Sequence, residues 1–120
     1  MPFDQQVTFL HTSNLNRTAQ FYEEILELPL LRDQVVCRIY QSSSVSYLGF
    51  CIHLDAARLE GIVLTLVTDD VDGWYQKLKE KGVTITAPPA YNPKYQIYHF
   101  FFKDPNGYTL EIQRFDVPLE

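Results

Sequence analysis

The first half of the chain has one helical pattern set between short strand-like runs. QQVTFLHT, at residues 5–12, alternates apolar and polar positions enough to predict a strand. Ser13 or Asn14 then caps a predicted helix, and Pro29 lies just beyond its end. The apolar residues of this helix share one face: Leu15, Ala19, Tyr22, Ile25 and Leu26. Three strand-like stretches complete this half, at 30–32, 35–41 (VVCRIYQ) and 45–54 (VSYLGFCIHL), and Ser42–Ser44 forms the turn between the last two.

The second half starts the same plan again from Gly61. IVLTLVT predicts a strand, Asp69 or Asp70 caps a helix, and Gly82 ends that helix. Its apolar face is formed by Val71, Trp74, Tyr75 and Leu78. Further strands are predicted for VTIT (83–86), IYHFFF (97–102) and YTLEIQRF (108–115). A Pro-rich loop, APPAYNPKY, separates the first two of these, and a DPNG turn separates the last two.

The two halves superpose at a shift of 56 residues, which places Val7 on Val63 (63 − 7) and Leu15 on Val71 (71 − 15). The sequence therefore predicts an α+β fold in which a β-α-β-β-β module is used twice. A unit this small cannot close a core alone, so two modules are expected to pack together in a single domain, 1–120. Module one spans about 5–55 and module two about 61–115.

The charge and cysteine content exclude several classes of protein. Ten Lys and Arg against 15 Asp and Glu give a net charge of −5, which argues against a nucleic-acid binder. The N-terminus has no signal-peptide pattern, and no apolar run approaches the roughly 20 residues that a membrane span needs. Two cysteines, Cys37 and Cys51, are too few for a disulfide scaffold. A reduced, cytoplasmic protein is expected.

One carboxylate stands out, because Glu111 lies inside a strand-like run where Glu is disfavoured. The chain has no glycine-rich phosphate loop, no paired-Cys zinc spacing, no HExxH and no GxSxG to explain it. However, the stretches NLNRTAQFYEEILELPLL, LTLVTDDVDGWYQKLKEKG and above all FFKDPNGYTLEIQ resemble the vicinal oxygen chelate superfamily. That superfamily includes glyoxalase I, bleomycin and fosfomycin resistance proteins and extradiol dioxygenases, and the resemblance covers nearly the whole chain.

The resemblance implies two β-α-β-β-β modules whose mixed sheets curl into an open cup, with the helices outside. It also implies a homodimer, and a divalent metal in those members that do chemistry. On this chain the family's metal-ligand positions are Val7, Gly49, Val63 and Glu111. Valine and glycine have no side-chain donor, and one carboxylate cannot hold a catalytic metal, which takes three or more protein ligands. No metal and no other cofactor is therefore predicted; zinc, nickel, iron or manganese held by an atypical ligand set is the alternative.

The residues that face the cup follow from strand alternation and from assumed four-residue hairpin loops. In module two, this register pairs Phe102 with Thr109, Phe100 with Glu111 and Tyr98 with Gln113. In module one, it places Arg38 and Tyr40 beside Tyr47, Gly49 and Cys51. The predicted ligand-binding residues are Phe9, His11, Arg38, Tyr40, Tyr47, Cys51, His53, Tyr98, Phe100, Phe102 and Glu111.

Structural interpretations remain open for several of these residues. Arg38 can pair with Asp33, extend to solvent, or pair with Glu111. Cys51 and His53 can form a thiolate–imidazole pair, and the aromatic residues can simply be core.

The leading functional prediction is a binding protein that has lost the metal and holds a planar or weakly cationic small molecule in an aromatic cup. It would resemble the bleomycin resistance branch. The rival prediction is an enzyme: a metal-dependent lyase, isomerase or dioxygenase, or a metal-free enzyme with Glu111 as the general base. A third possibility is a structural or regulatory dimer.

Overall fold

The computed structural model describes residues 2–56 and 58–119. The chain divides into two compact units, Met1–Arg58 and Leu59–Glu120, which are described separately below. Each unit contains one four-stranded mixed sheet and one helical segment, in the order β-α-β-β-β. The predicted α+β fold and the repeated module are thus confirmed. Within the described residues, no helix is long and apolar enough to cross a membrane.

Unit one consists of β1 (Gln6–His11), α1 (Leu15–Ala19), β2 (Leu30–Asp33), β3 (Cys37–Ser43) and β4 (Ser46–Cys51). Helix α1 continues directly as a π-helical segment, Gln20–Ile25. The sheet order is β1-β4-β3-β2, in which β1 and β4 are parallel and the other neighbours antiparallel. Asn14 caps α1, since its side chain accepts a hydrogen bond from the backbone N–H of Arg17.

The core of unit one is aromatic and lies between the helical segment and one face of the sheet. Tyr22, Tyr40 and Phe50 are fully buried, and the Tyr22 and Phe50 rings lie 4.4 Å apart between centroids. Thr12 and Thr18 are also buried, with their hydroxyls 2.8 Å apart. This packing fixes which strand face is turned to the helix, and so leaves the other face for a site.

Unit two repeats the arrangement with β5 (Val63–Val67), α2 (Val71–Glu80), β6 (Ala90–Asn92), β7 (Ile97–Lys103) and β8 (Thr109–Phe115). Its sheet order, β5-β8-β7-β6, matches that of unit one. Asp70 caps α2 by accepting a hydrogen bond from the backbone N–H of Gly73. The core is formed by α2 and one sheet face: Val71, Leu78, Phe100, Phe102, Leu110 and Ile112.

One predicted strand of unit two is wrong. VTIT, residues 83–86, forms no strand, and only Ile85 makes an isolated bridge, to Phe102. The strand that pairs with β7 is instead β6, which lies inside the stretch predicted to be a Pro-rich loop. Strand β6 lies at the edge of its sheet. It has only three residues, with Pro88 and Pro89 before it and Pro93 after it. Proline is tolerated at a sheet edge because its missing N–H faces solvent there.

Both predicted hairpin registers are also wrong, each for a local reason. Between β3 and β4 the register shifts by one residue between Gln41 and Ser43, so that Arg38 pairs with Phe50 and Tyr40 with Leu48. A β-bulge of this kind adds one residue to one strand and turns all residues beyond it to the opposite face.

Between β7 and β8 the loop has five residues, 104–108, because the Asp104 carboxylate accepts hydrogen bonds from the backbone N–H groups of Asn106 and Tyr108. Lys103 therefore pairs with Thr109 and Phe101 with Glu111.

Candidate functional site

The observed register of β7 and β8 brings His99 next to Glu111, the carboxylate that stood out in the sequence. Residues at pairing positions share a face of the sheet, so Glu111 has Thr65 on one side and Phe101 on the other, with His99 diagonal to it. We call this side of the unit-two sheet the Glu111 face. It consists of Val63, Thr65, Val67, His99, Phe101, Lys103, Thr109, Glu111 and Gln113.

Glu111 accepts hydrogen bonds through both carboxylate oxygens. Oε2 lies 2.5 Å from Nδ1 of His99, and the Thr65 hydroxyl donates to Oε1 at 2.8 Å. Glu111 is only 8% exposed, so these two partners replace water around a carboxylate that burial would otherwise destabilise. In the tautomer that carries its hydrogen on Nδ1, His99 donates to Glu111 and presents Nε2 as an acceptor, and no described residue hydrogen-bonds to Nε2.

Around this polar cluster the Glu111 face is apolar and exposed. The edge strand β5 turns Val63 and Val67 to this side, where they are 50% and 60% exposed. Phe101 is 37% exposed, and its ring meets the His99 ring edge-on at 5.2 Å between centroids. An exposed apolar surface with a few oriented polar groups has the composition of a small-molecule site.

The aromatic residues predicted to surround Glu111 lie on the opposite side of the sheet. Phe100 and Phe102 are 2% and 1% exposed and belong to the core with α2, so the prediction that they share a face with Glu111 is wrong. Tyr98 also points to that side, where its hydroxyl donates to Asp72 at the start of α2. That hydrogen bond, with Asp72 as acceptor, raises the pKa of Tyr98. The sequence did not predict His99 and Phe101 as residues of the Glu111 face, because three consecutive phenylalanines show no alternation of apolar and polar residues from which the two strand faces could be told apart.

In unit one the bulge likewise moves Arg38 and Tyr40 away from the face predicted for them. The Tyr40 hydroxyl donates to Glu23 at 3.0 Å, and burial, reinforced by this hydrogen bond, raises the pKa of Tyr40. Arg38 forms an ion pair with Asp33, which is one of the alternatives that the sequence left open for it. The 3.7 Å between Arg38 Nε and Asp33 Oδ2 is too long for a hydrogen bond. The Arg38 guanidinium also donates to the backbone carbonyl of Leu15 and to the side chain of Asn16 in α1.

Four of the remaining residues predicted for module one do share a sheet face, namely Phe9, His11, Tyr47 and Cys51, whereas His53 lies beyond the end of β4. Val7 pairs with Tyr47, Phe9 with Gly49 and His11 with Cys51, and the Phe9 ring covers Gly49 so closely that a Cβ there would lie 2.5 Å from it. Two cavities open along this side. One, of about 290 Å³, is lined by Gln5, Val7, Leu31, Arg32, Ile39 and Tyr47. The other, of about 300 Å³, is lined by Phe9, Gln34, Cys37, Cys51, His53 and Leu54.

The cysteines differ from the sequence-based expectation of a reduced protein. Cys37 and Cys51 are paired across β3 and β4 with their Cα atoms 4.1 Å apart, and they form a disulfide. Directly opposite residues of antiparallel strands lie close enough together for a disulfide to form between them. His53 contacts Cys37 rather than Cys51, at 3.6 Å between Nδ1 and Sγ. The partner of Cys51 was missed because the register was wrong.

The donor set at the family's metal positions does not fit a metal. Val7, Gly49 and Val63 provide no ligand atom, and the Glu111 carboxylate is already bonded to His99 and Thr65. Glu111 and His99 together are two ligands, fewer than the three protein ligands typical of a catalytic zinc site. No step of a mechanism is therefore assigned to a metal at this place.

Both units have the same β-α-β-β-β order, and each contains one four-stranded mixed sheet. The family model of the Glyoxalase/Bleomycin resistance protein/Dioxygenase superfamily matches residues 5–112, and the chain belongs to this superfamily. The resemblance seen in the sequence is thereby confirmed. No curated protein sequence matches the chain significantly.

Several solved structures share the fold at low sequence identity. A superfamily member from Sphaerobacter thermophilus is 21% identical with a TM-score of 0.78, covering 92% of this chain and 95% of its own. A lactoylglutathione lyase from Agrobacterium tumefaciens is 17% identical with a TM-score of 0.76, covering 95% of each chain. A superfamily protein from Nocardioides is 18% identical with a TM-score of 0.77, covering all of this chain and 91% of its own. At these identities the likeness establishes the fold only.

Proposed function

We propose that this protein binds a small, planar, weakly cationic organic molecule on the Glu111 face and holds it without a metal at the family's ligand positions. The observation that carries the proposal is the hydrogen-bonded cluster of Thr65, Glu111 and His99 on the same sheet face as exposed apolar side chains. A purely structural sheet face exposed to this extent would not need a buried carboxylate.

The chemistry of the ligand follows from the charge of the cluster. We take His99 in the tautomer that donates from Nδ1 to Glu111, which leaves an acceptor at Nε2 next to the carboxylate. An N–H group of a heterocycle or of an aromatic amine can donate a hydrogen bond to His99 Nε2. The Glu111 carboxylate attracts the partial positive charge of such a ligand. Phe101 offers a ring against which a planar molecule can pack.

The proposal is tested by thermal melting of the disulfide-intact protein with a panel of planar N-heterocycles and aromatic amines. A ligand at 100 times its dissociation constant stabilises the folded protein by about 2.7 kcal/mol, which raises Tm measurably. His99→Asn keeps a donor near the Nδ1 position but removes Nε2, and Glu111→Gln removes the charge. Both variants should lose the ligand-induced shift.

The matched control is Glu80→Gln, which makes the same chemical change at an exposed position on α2. It should keep the full ligand-induced shift. The proposal fails if no compound raises Tm, or if His99→Asn and Glu111→Gln respond as the wild type does. It also fails if Glu111→Gln melts well below wild type without ligand, because Glu111 would then be a structural residue.

A metal-free enzyme is the second candidate, and the orientation of His99 favours it. Glu111 fixes the imidazole with Nε2 outward, so Nε2 could accept a proton as a general base while Glu111 positions the ring. A lyase or isomerase that removes a proton next to a carbonyl would use such a group. Deuterium exchange into small carbonyl compounds, followed by NMR and lost in His99→Asn, would favour the enzyme; a ligand-induced Tm shift without exchange favours the binding protein.

Metal content separates both candidates from the metal-dependent alternative. Disulfide-intact protein purified without chelator should carry much less than one equivalent of zinc, nickel, iron or manganese. One equivalent of any of these metals that disappears in Glu111→Gln would contradict the metal-free proposal.

A further inference from the structure

A second group of reactive side chains lies in unit one, where β3 begins and β4 ends. Cys37 Sγ, Cys51 Sγ and a ring nitrogen of His53 all lie within 4.8 Å of one another. Within residues 2–56 and 58–119 this is the only group of three His, Cys, Asp or Glu residues with ligand atoms so close together. The two sulfurs are joined as a disulfide, and His53 Nδ1 lies 3.6 Å from Cys37 Sγ.

The cluster lines a cavity of about 300 Å³ together with Phe9, Gln34 and Leu54. Cys37 and Cys51 are 4% and 1% exposed, whereas His53 is exposed. The sulfurs are thus shielded from bulk solvent, while the cavity and the histidine provide a path by which a small ion can enter.

We propose that reduction of the Cys37–Cys51 disulfide creates a zinc site with Cys37 Sγ, Cys51 Sγ and His53 Nδ1 as its ligands. A small dithiol supplies the two electrons and two protons: it becomes a cyclic disulfide, and the protein gains two thiols. Zn²⁺ then displaces the two thiol protons and is bound by two thiolates and a neutral imidazole. Thiolate and imidazole are the ligands that zinc prefers in proteins.

Two of the three distances between the ligand atoms can be compared with those of a tetrahedral zinc site, and the third, from Cys51 Sγ to His53, is at most 4.8 Å. Zn–S bonds of about 2.3 Å and Zn–N bonds of about 2.0–2.1 Å place sulfur and nitrogen about 3.6 Å apart in a tetrahedral site. The observed distance between Cys37 Sγ and His53 Nδ1 is 3.6 Å. The two sulfurs must lie about 3.8 Å apart in such a site. Side chains of directly opposite residues with Cα atoms 4.1 Å apart can adopt that separation once the covalent bond is broken.

The fourth coordination position would face the cavity. Three protein ligands with one open position are the arrangement of catalytic zinc sites, whereas structural sites are closed by a fourth protein ligand. The cavity could admit water or a small oxygen- or sulfur-containing molecule at that position. This site uses none of the family's metal-ligand positions and none of the residues of the Glu111 face, so it stands independently of the proposed function.

Cobalt titration of the reduced protein tests the proposal. Protein reduced with a dithiol, desalted without oxygen and titrated with Co²⁺ should bind one equivalent and develop thiolate-to-cobalt charge-transfer absorption. One equivalent of Zn²⁺ should then bleach that absorption. Disulfide-intact protein should show no such bands, and Glu80→Gln, at an exposed position on α2, should behave as the reduced wild type does.

Three variants define the ligand set. Cys37→Ser and Cys51→Ser each keep one thiolate, so each should bind cobalt more weakly and show less charge-transfer absorption than the reduced wild type, and His53→Ala should bind cobalt at least about tenfold more weakly. Circular dichroism of each reduced sample reports on folding. Absence of cobalt bands in reduced wild type, unchanged affinity in His53→Ala, or reduced protein that unfolds and does not refold with Zn²⁺ would each overturn the proposal.

Discussion

Tyr40 has a buried hydroxyl whose raised pKa makes the free energy of unfolding depend on pH in the alkaline range. Its side chain is fully buried against Tyr22 and Phe50, and the hydroxyl donates to Glu23. Burial is the larger cause and the Glu23 contact the second, and both raise the pKa of Tyr40 above its ordinary value of 10. The folded state therefore retains this proton at a pH where the unfolded chain has lost it.

The consequence is a loss of stability at alkaline pH that Tyr40→Phe should remove. Below pH 10 the contribution of Tyr40 is fully present, and the variant should be about 1 kcal/mol less stable because it lacks the hydrogen bond to Glu23. Above pH 10 the wild type loses up to about 1.4 kcal/mol per pH unit from this group, so the difference should shrink and then reverse. Urea unfolding of both disulfide-intact proteins at pH 8, 10 and 11 measures this.

Tyr95→Phe is the control for that measurement, since Tyr95 is 62% exposed. Its difference from wild type should stay near zero throughout. A Tyr40→Phe difference that is the same at pH 8 and pH 11 would contradict the assignment of the alkaline effect to Tyr40.

At the scale of elements, the sequence predicted the order of the strands and helices but not their registers. Periodicity and capping residues are local signals, and the structure uses Asn14 and Asp70, each one of the two cap residues that the sequence left open. Register depends on the length of a turn and on bulges, and one residue of error exchanges the two faces of a strand. The bulge near Ser42 moved Arg38 and Tyr40, and the five-residue loop after Lys103 moved Phe100 and His99.

A signal for the second register was present in the sequence. An Asp at the start of a turn can accept hydrogen bonds from backbone N–H groups further along, as Asp104 does from Asn106 and Tyr108. Leu110 and Ile112 must face the helix, and they pair with Phe102 and Phe100 in the observed register, whereas a four-residue loop would pair Phe102 with Thr109. The bulge near Ser42 had no comparable signal, because a serine-rich turn fits several loop lengths.

The β7–β8 loop, residues 104–108, should therefore contribute to the free energy of unfolding of unit two through the hydrogen bonds that Asp104 accepts. Asp104 is 6% exposed, so Asp104→Ala leaves the backbone N–H groups of Asn106 and Tyr108 without their acceptor. We expect a loss of about 1–3 kcal/mol in the free energy of unfolding, measured by urea denaturation. Asp4→Ala, at an exposed position, should change it by less than about 0.5 kcal/mol. Equal effects of the two substitutions would show that the loop does not depend on Asp104.

At the scale of the whole molecule, the prediction still to be tested is that the protein forms a homodimer. Strand β2 forms one edge of the unit-one sheet and, within the described residues, pairs only with β3. All four of its residues are exposed. Two of them, Leu30 and Leu31, are 38% and 51% exposed, and Val35 and Val36 continue the apolar surface at 83% and 40%. An edge strand that combines unpaired backbone groups with exposed aliphatic side chains is usually covered by a partner.

We expect the covering partner to be a second copy of this chain, so that light scattering at micromolar concentration gives the mass of a dimer. Leu31→Lys places a charge in the centre of the apolar edge and should shift the mass toward that of the monomer, because an unpaired charge is costly to bury. Val45→Lys makes the same kind of change at a residue that is 56% exposed in the β3–β4 turn and should leave the dimer intact. A monomeric wild type would contradict the dimer itself. A dimer that persists unchanged in Leu31→Lys would place the interface elsewhere than on the β2 edge.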